Sequence, residues 1–220
     1  MAKKTKNFST FEQWHALDVE EKLDIRHTKE SVLLSKWIQP QGQYPPEWEK
    51  PIEQYQERLV RYHNSWNEYE LLIKFAYLFL ATIEWFDGWH NLFHERALKA
   101  KVGNYEVKGI VDGMLASVSY EPESPYFFIH EYKRMKQSEA DPLGQLLIAM
   151  IASRTINADG KPIYGCYIIG TYWRFVVLEG DHYAQSQGYD ATDKTELNII
   201  WQTLNEAKRI VVEDLIGEKK

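Results

Sequence analysis

Cysteine is almost absent from this chain: Cys166 is the only one among 220 residues. A disulfide within one chain is therefore excluded, and a cysteine-based zinc site nearly so, a usage that points to a reducing compartment. Long apolar runs are lacking too. The longest, FAYLFLATI from Phe75 to Ile83, is too short to span a bilayer and directly follows Lys74. No apolar signal region follows the basic start MAKKTKNF. Positive charge is in deficit, with a formal net charge of −6, so a polyanion partner would have to meet a local basic patch. These absences predict a soluble, cytoplasmic protein with no membrane association.

What is present is material for a packed core. Aromatic residues make up 14% of the chain, which argues against disorder, and 220 residues suffice to bury a sizeable interior. The first hundred residues read as helical. Ser9 and Glu12 match a capping box ahead of FEQWHAL, and VEEKLDIRHTKESVLLSKWI carries apolar residues at helical spacing. QPQGQYPPEWEKP interrupts this with prolines and a glycine, which predicts a loop. A helix from about Ile52 to His63 follows, and then NEYELLIKFAYLFLATIEWF, apolar on most faces and so expected in the core.

After Lys99 the pattern becomes that of strands. KAKVGNYEVKGIVDGMLASV predicts a hairpin turning at Gly103-Asn104, a pair that accepts positive φ, and YFFIHEYK a third strand. DPLGQLLIAMIASRTIN predicts a helix with Asp141 as N-cap and Pro142 in its first turn. PIYGCYIIG, YWRFVVLEG and HYAQS read as strands with turns at Gly170 and Gly180, and Asp193 with Glu196 as the cap of a last helix. The order predicts an α/β (α+β) fold, a mixed sheet flanked by helices. The division expected is a helical N-terminal extension over residues 1–64, packed on a core of residues 65–220.

Charged residues interrupt the two central strands. Asp112 breaks one apolar run, and Glu131 and Lys133 break the other. Strand alternation puts Glu131 and Lys133 on one face, and pairing of the strands would bring Asp112 to the same end. Buried charges must be paired or hold a cation. Two carboxylates and a backbone carbonyl suit Mg²⁺, which keeps waters and accepts a phosphate oxygen. A neighbouring lysine can orient or deprotonate a water, or neutralise charge growing on a phosphate.

IVDG followed by HEYK, with the helix DPLGQLLIAM after it, resembles the PD-(D/E)XK nuclease superfamily of restriction-endonuclease-like proteins. The resemblance spans about Glu68 to Gly170. It implies a core of one helix, three antiparallel strands, a helix and a further strand. By the same resemblance Asp112 and Glu131 are expected as metal ligands, the Tyr132 carbonyl as a backbone ligand, and Lys133 as the catalytic lysine. Gln145 matches a glutamine found on the following helix, and Glu68, with Glu70 as the alternative, matches a glutamate on the first core helix. Val111 stands where the superfamily motif has proline, and Ala149 where one exonuclease branch has tyrosine. The implied function is Mg²⁺-dependent, or Mn²⁺-dependent, hydrolysis of DNA, with a homodimer compatible because cutting two strands often needs two sites. The alternative is a catalytically inactive nuclease-fold module that binds protein or nucleic acid.

Plainer roles exist for several of these residues. Glu131 and Lys133 also fit an ordinary same-face ion pair, and Ser65 with Glu68 fits a capping box. Gln145 fits a satisfied core amide. His90 and His94, four residues apart beside Asp87 and Glu95, are expected as amphipathic residues at a helix end rather than a metal site. The aromatic set Tyr172–Phe175 is expected in a core or interface, with Arg174 as a weak phosphate-contact candidate.

Overall fold

Nine strands join in one mixed sheet among residues 7–39, 42–117, 122–130 and 141–216, which are those the structure, a computed structural model, describes. The strands are β1 Asn7–Thr10, β2 Arg26–His27, β3 His90–Val102, β4 Tyr105–Ser117, β5 Glu123–His130, β6 Ile163–Ile169, β7 Tyr172–Glu179, β8 His182–Gln185 and β9 Tyr189–Asp190. The helices are α1 Ala16–Leu23, α2 Val32–Trp37, α3 Pro46–Tyr62, α4 Glu68–Leu71, α5 Tyr77–Leu80, α6 Pro142–Asn157 and α7 Lys194–Arg209. A π-helical turn, Leu72–Ala76, joins α4 to α5, and another, Ile210–Ile216, extends α7. The chain is mixed α/β, as its alternation of helical and strand patterns predicts.

β4 organises the site end of the sheet. On one edge it pairs antiparallel with β3 from Val102↔Tyr105 to His90↔Ser117, and the turn between them places Gly103 at φ 56°. Its other edge is divided. β1 pairs with it in parallel over Tyr105–Lys108, and β5 pairs antiparallel from Gly113 onward. β5 and β6 are parallel, so a crossover must join them, and α6 supplies it. β7 and β8 continue the sheet antiparallel, and β2 closes it in parallel with β8.

Helix α6 is buried along most of its length because it lies on this sheet. Leu146 fills the space over Gly165 of β6, where any side chain would crowd it. Ser153 Oγ and Asn157 Nδ2 both donate to the carbonyl of Pro125, fixing α6 to the start of β5. Elsewhere in the core Trp37 meets Phe127, Tyr164 and Phe175 edge-on, with centroids 5.2–6.1 Å apart, and its Nε1 donates to Thr203 O at 2.8 Å. Each ring pair contributes about 0.5–1.5 kcal/mol beyond its buried area.

Four local expectations change. The segment before residue 100 is not all helix: β1 and β2 add strands at the N-terminus, and β3 begins at His90. The proline-rich stretch is not loop throughout. Pro46 opens α3, a position where the missing N–H costs nothing, and Pro51 lies within the helix. Ser9 lies in β1 and accepts from Trp14 Nε1, while Thr10 and Gln13 form the cap expected of Ser9 and Glu12. At α4 the capping box is Asn67 with Glu70, not Ser65 with Glu68: Asn67 Oδ1 accepts from Glu70 N at 2.8 Å, and Glu70 Oε2 from Asn67 N at 3.1 Å.

Candidate functional site

Between the end of β1 at Lys108 and the first β5 pair at Gly113, the edge of β4 carries no described strand. A cleft of about 720 Å³ opens along this gap. Three residues distant in sequence line it together: Glu68 from α4, Asp112 from β4 and Gln145 from α6. Asp112 is half-buried, Gln145 is 3% exposed, and Glu68 is exposed.

Each is placed by its own element. His94 of β3 brings Nδ1 to 3.1 Å from the Asp112 carbonyl, and its ring packs against Tyr77 of α5 at 5.1 Å. The backbone of Asp112 is therefore tied to both its neighbouring strand and the first core helices. Gln145 follows the cap of α6, where Asp141 Oδ1 accepts from Leu143 N and Gly144 N at 3.0 and 3.2 Å. The other oxygen of Asp141 accepts from Ala16 N at 2.7 Å, so one carboxylate joins α6 to the N-terminal segment. Gly144 makes that junction possible, since a Cβ there would overlap the backbone of Trp14 and His15.

The two glutamates of α4 have separate roles. Glu70 is engaged by the cap and by Lys74, whose Nζ lies 2.5 Å from its Oε1. Glu68 lines the cleft instead. Glu131, Tyr132 and Lys133 lie outside the described residues; the last registered pair between β4 and β5, Gly113↔Ile129, ends two residues before Glu131 in sequence.

The cleft also holds residues that the sequence reading missed. Glu95 lies on its wall, opposite Asp112 when the β3–β4 pairs are counted outward from the turn at Gly103-Asn104. The same count from the predicted hairpin turn would have found it. Glu12, Lys99 and Lys108 line the cleft too, and Lys99 pairs with Glu106 at 2.5 Å. Four acids and two lysines therefore line the one cleft. Among the described residues, no three His, Cys, Asp or Glu side chains converge tightly enough to hold a metal ion.

The remaining candidates are structural. His90 and His94 stand on a strand, not at a helix end. His90 is buried against Asp87, its Nδ1 2.9 Å from Oδ2. Burial works to raise the Asp87 pKa, but His90 and the N–H groups of Trp89 and His90 outweigh it and hold the carboxyl below its usual range. In β7, Trp173 and Phe175 are core residues, and Arg174 directs Nη1 to Ser186 O at 3.4 Å. Cys166 is fully buried, and burial pushes its thiol well up, so it offers no nucleophile at neutral pH. Among the described residues no helix is long and apolar enough to cross a membrane.

Comparison of the sequence with protein-family models and with curated proteins returns no match.

Proposed function

We propose that the cleft beside β4 is a Mg²⁺-dependent phosphodiesterase site of the PD-(D/E)XK type acting on DNA. The observation that carries this reading is the meeting of Glu68, Asp112 and Gln145 in one cleft, from three elements far apart in sequence. The order of elements adds support. Helices α4 and α5, the antiparallel run β3–β4–β5, helix α6 and strand β6 follow the succession that the superfamily resemblance implies.

The donors fit a hard cation. Mg²⁺ asks for oxygen ligands and is commonly held by one or two carboxylates, with waters and substrate phosphate completing its shell. Asp112 and Glu131 would hold it with the Tyr132 carbonyl, and Glu68 stands at the same cleft. When bound, the ion supplies Lewis-acid stabilisation of charge on the phosphate and a lower pKa for a coordinated water. Lys133 then orients the attacking water, receives its proton or offsets the negative charge growing on the phosphate oxygens. Gln145 has an amide that can orient that water or a phosphate oxygen. Its burial on α6 holds it in place. Water adds to phosphorus, one ester P–O bond breaks, and the leaving alkoxide takes up a proton.

A second reading has an observation of its own. Four acids line the cleft against two lysines, a balance that opposes phosphate and suits a module that keeps the fold without cutting. Titration calorimetry with Mg²⁺ and Mn²⁺, paired with cleavage by wild type and Lys133→Ala, separates the two. The nuclease reading expects metal binding that Asp112→Ala abolishes, and cleavage that Lys133→Ala lowers at least about 100-fold. Absence of both metal binding and cleavage in these assays supports the binding module.

A further inference from the structure

Between the hairpin turn and the cleft, the burial of β4 alternates: Val107 and Val111 are buried, Lys108 and Ile110 exposed. The ladder fixes what shares the exposed face. Lys108 pairs with Lys99 and Thr10, Ile110 with Ala97, and Glu106 with Lys101 and Phe8. Paired residues point to the same side of a sheet. Toward the hairpin turn, one open face on β1, β3 and β4 therefore carries Lys99, Lys101 and Lys108 with the acid Glu106, which pairs with Lys99, together with two exposed apolar side chains. Phe8 is 51% exposed and Ile110 59%. Lys108 Nζ lies 4.8 Å from the Phe8 ring centroid, so cation and aromatic surface adjoin.

The lysine-rich part of this face meets the acid-rich part at the cleft, where Lys99, Lys108 and Ile110 line the same wall as Asp112 and Glu95. Glu106 and Asp112 are six residues apart on one strand, about 20 Å. A short oligonucleotide spans that length. Phosphates would meet the lysines, and a base would meet the phenyl ring. A duplex keeps its bases stacked on each other, so a half-exposed aromatic ring on an open sheet serves unpaired bases. Lysines supply charge for any polyanion, whereas the ring adds a contact that only a base completes.

We propose that this face binds single-stranded DNA and leads it into the cleft. The direction into the cleft rests on the proposed function; binding to the face does not. The test is fluorescence anisotropy in EDTA, where no cleavage intervenes. It uses labelled oligo-dT of about 16 nucleotides, at the long end of known single-strand site sizes, and its duplex with oligo-dA. The single strand is expected to bind at least about 10-fold tighter than the duplex. Phe8→Ala should weaken it by about 5- to 100-fold, with Phe8→Trp restoring it and heparin binding unchanged. Lys101→Gln should flatten the salt dependence by about 0.7 in log–log slope. Phe8 is exposed, so these variants should fold, and circular dichroism checks that they do. Equal affinity for duplex, or no effect of Phe8→Ala, overturns the proposal. Asp112→Asn separates the two readings: loss of cleavage with oligo-dT binding intact speaks to the cleft. Intact cleavage without single-strand preference overturns the face alone.

Discussion

Glu95 and Asp112 line one cleft at the step of the β3–β4 ladder where no pair is registered, and the Glu95 backbone lies at φ 52°, in the left-handed region, inside a strand. The other described non-glycine residues with positive φ, Asp24 and Ala158, are helix C-caps, where that conformation is ordinary. Glu95 has no such excuse of position, and a non-glycine residue held there stores about 1–3 kcal/mol of strain. Glu95→Gly is expected to raise the urea midpoint or leave it unchanged, because relief of strain offsets the glycine's chain entropy. Glu95→Val should lower stability by about 1–3 kcal/mol, since a branched Cβ suits that conformation least. Chemical denaturation of the three proteins reads both effects.

Asp141 serves two elements with two oxygens: Oδ1 caps α6, and Oδ2 accepts from Ala16 N. Asp141→Ala removes both and should cost about 1.5–3 kcal/mol; Asp141→Asn keeps one acceptor and should cost less. Equilibrium unfolding in urea ranks the three. Equal costs for both substitutions would show that the acceptor asparagine retains contributes nothing.

Gly144→Ala sets a methyl group against main-chain atoms of Trp14 and His15, which cannot rotate away. The expected loss is about 1–3 kcal/mol or more, from forced separation of α6 and the N-terminal segment. Thermal unfolding of Gly144→Ala beside Gly160→Ala supplies a control, since a Cβ at Gly160 meets no atom within 4 Å, although its φ of 73° adds backbone strain there.

Asp87 carries a pH dependence. Its folded pKa is lowered: burial raises it, but the His90 ring and two backbone N–H groups prevail. Its contribution to stability is therefore fully present above the unfolded value, about 3.9, and is lost as pH falls below that through the lower folded value. Melting temperatures recorded from about pH 6 down to about pH 3 should fall less steeply for Asp87→Asn than for wild type.

Sequence made part of this arrangement legible. The turn at Gly103-Asn104 and the cap at Asp141 follow from local chemistry, and both stand where their residues predict. The start of β3 does not follow from local chemistry. Ala97, Leu98, Lys99, Ala100 and Lys101 are good helix formers, and residues four apart share a face in a strand as well as in a helix. Pairing with β4 decides the outcome, and that is a long-range effect. The parallel β1–β4 pair joins residues almost a hundred positions apart, which no window of sequence contains. At α4, Ser65-x-x-Glu68 and Asn67-x-x-Glu70 both match a capping box, and only the second forms. That choice leaves Glu68 to the cleft and Glu70 to the cap.

We propose that the cleft lined by Glu68, Asp112 and Gln145 hydrolyses phosphodiesters. The most direct test is cleavage of single-stranded and duplex DNA by wild type and Asp112→Asn in Mg²⁺, in Mn²⁺ and in EDTA. Both proteins must first give the same unfolding midpoint. Wild type is expected to cleave in a metal-dependent way, and Asp112→Asn to lose at least about 100-fold, the effect of removing a ligand of the catalytic ion if Asp112 is one. Cleavage that Asp112→Asn leaves intact, or no cleavage by wild type with either metal, would contradict the proposal.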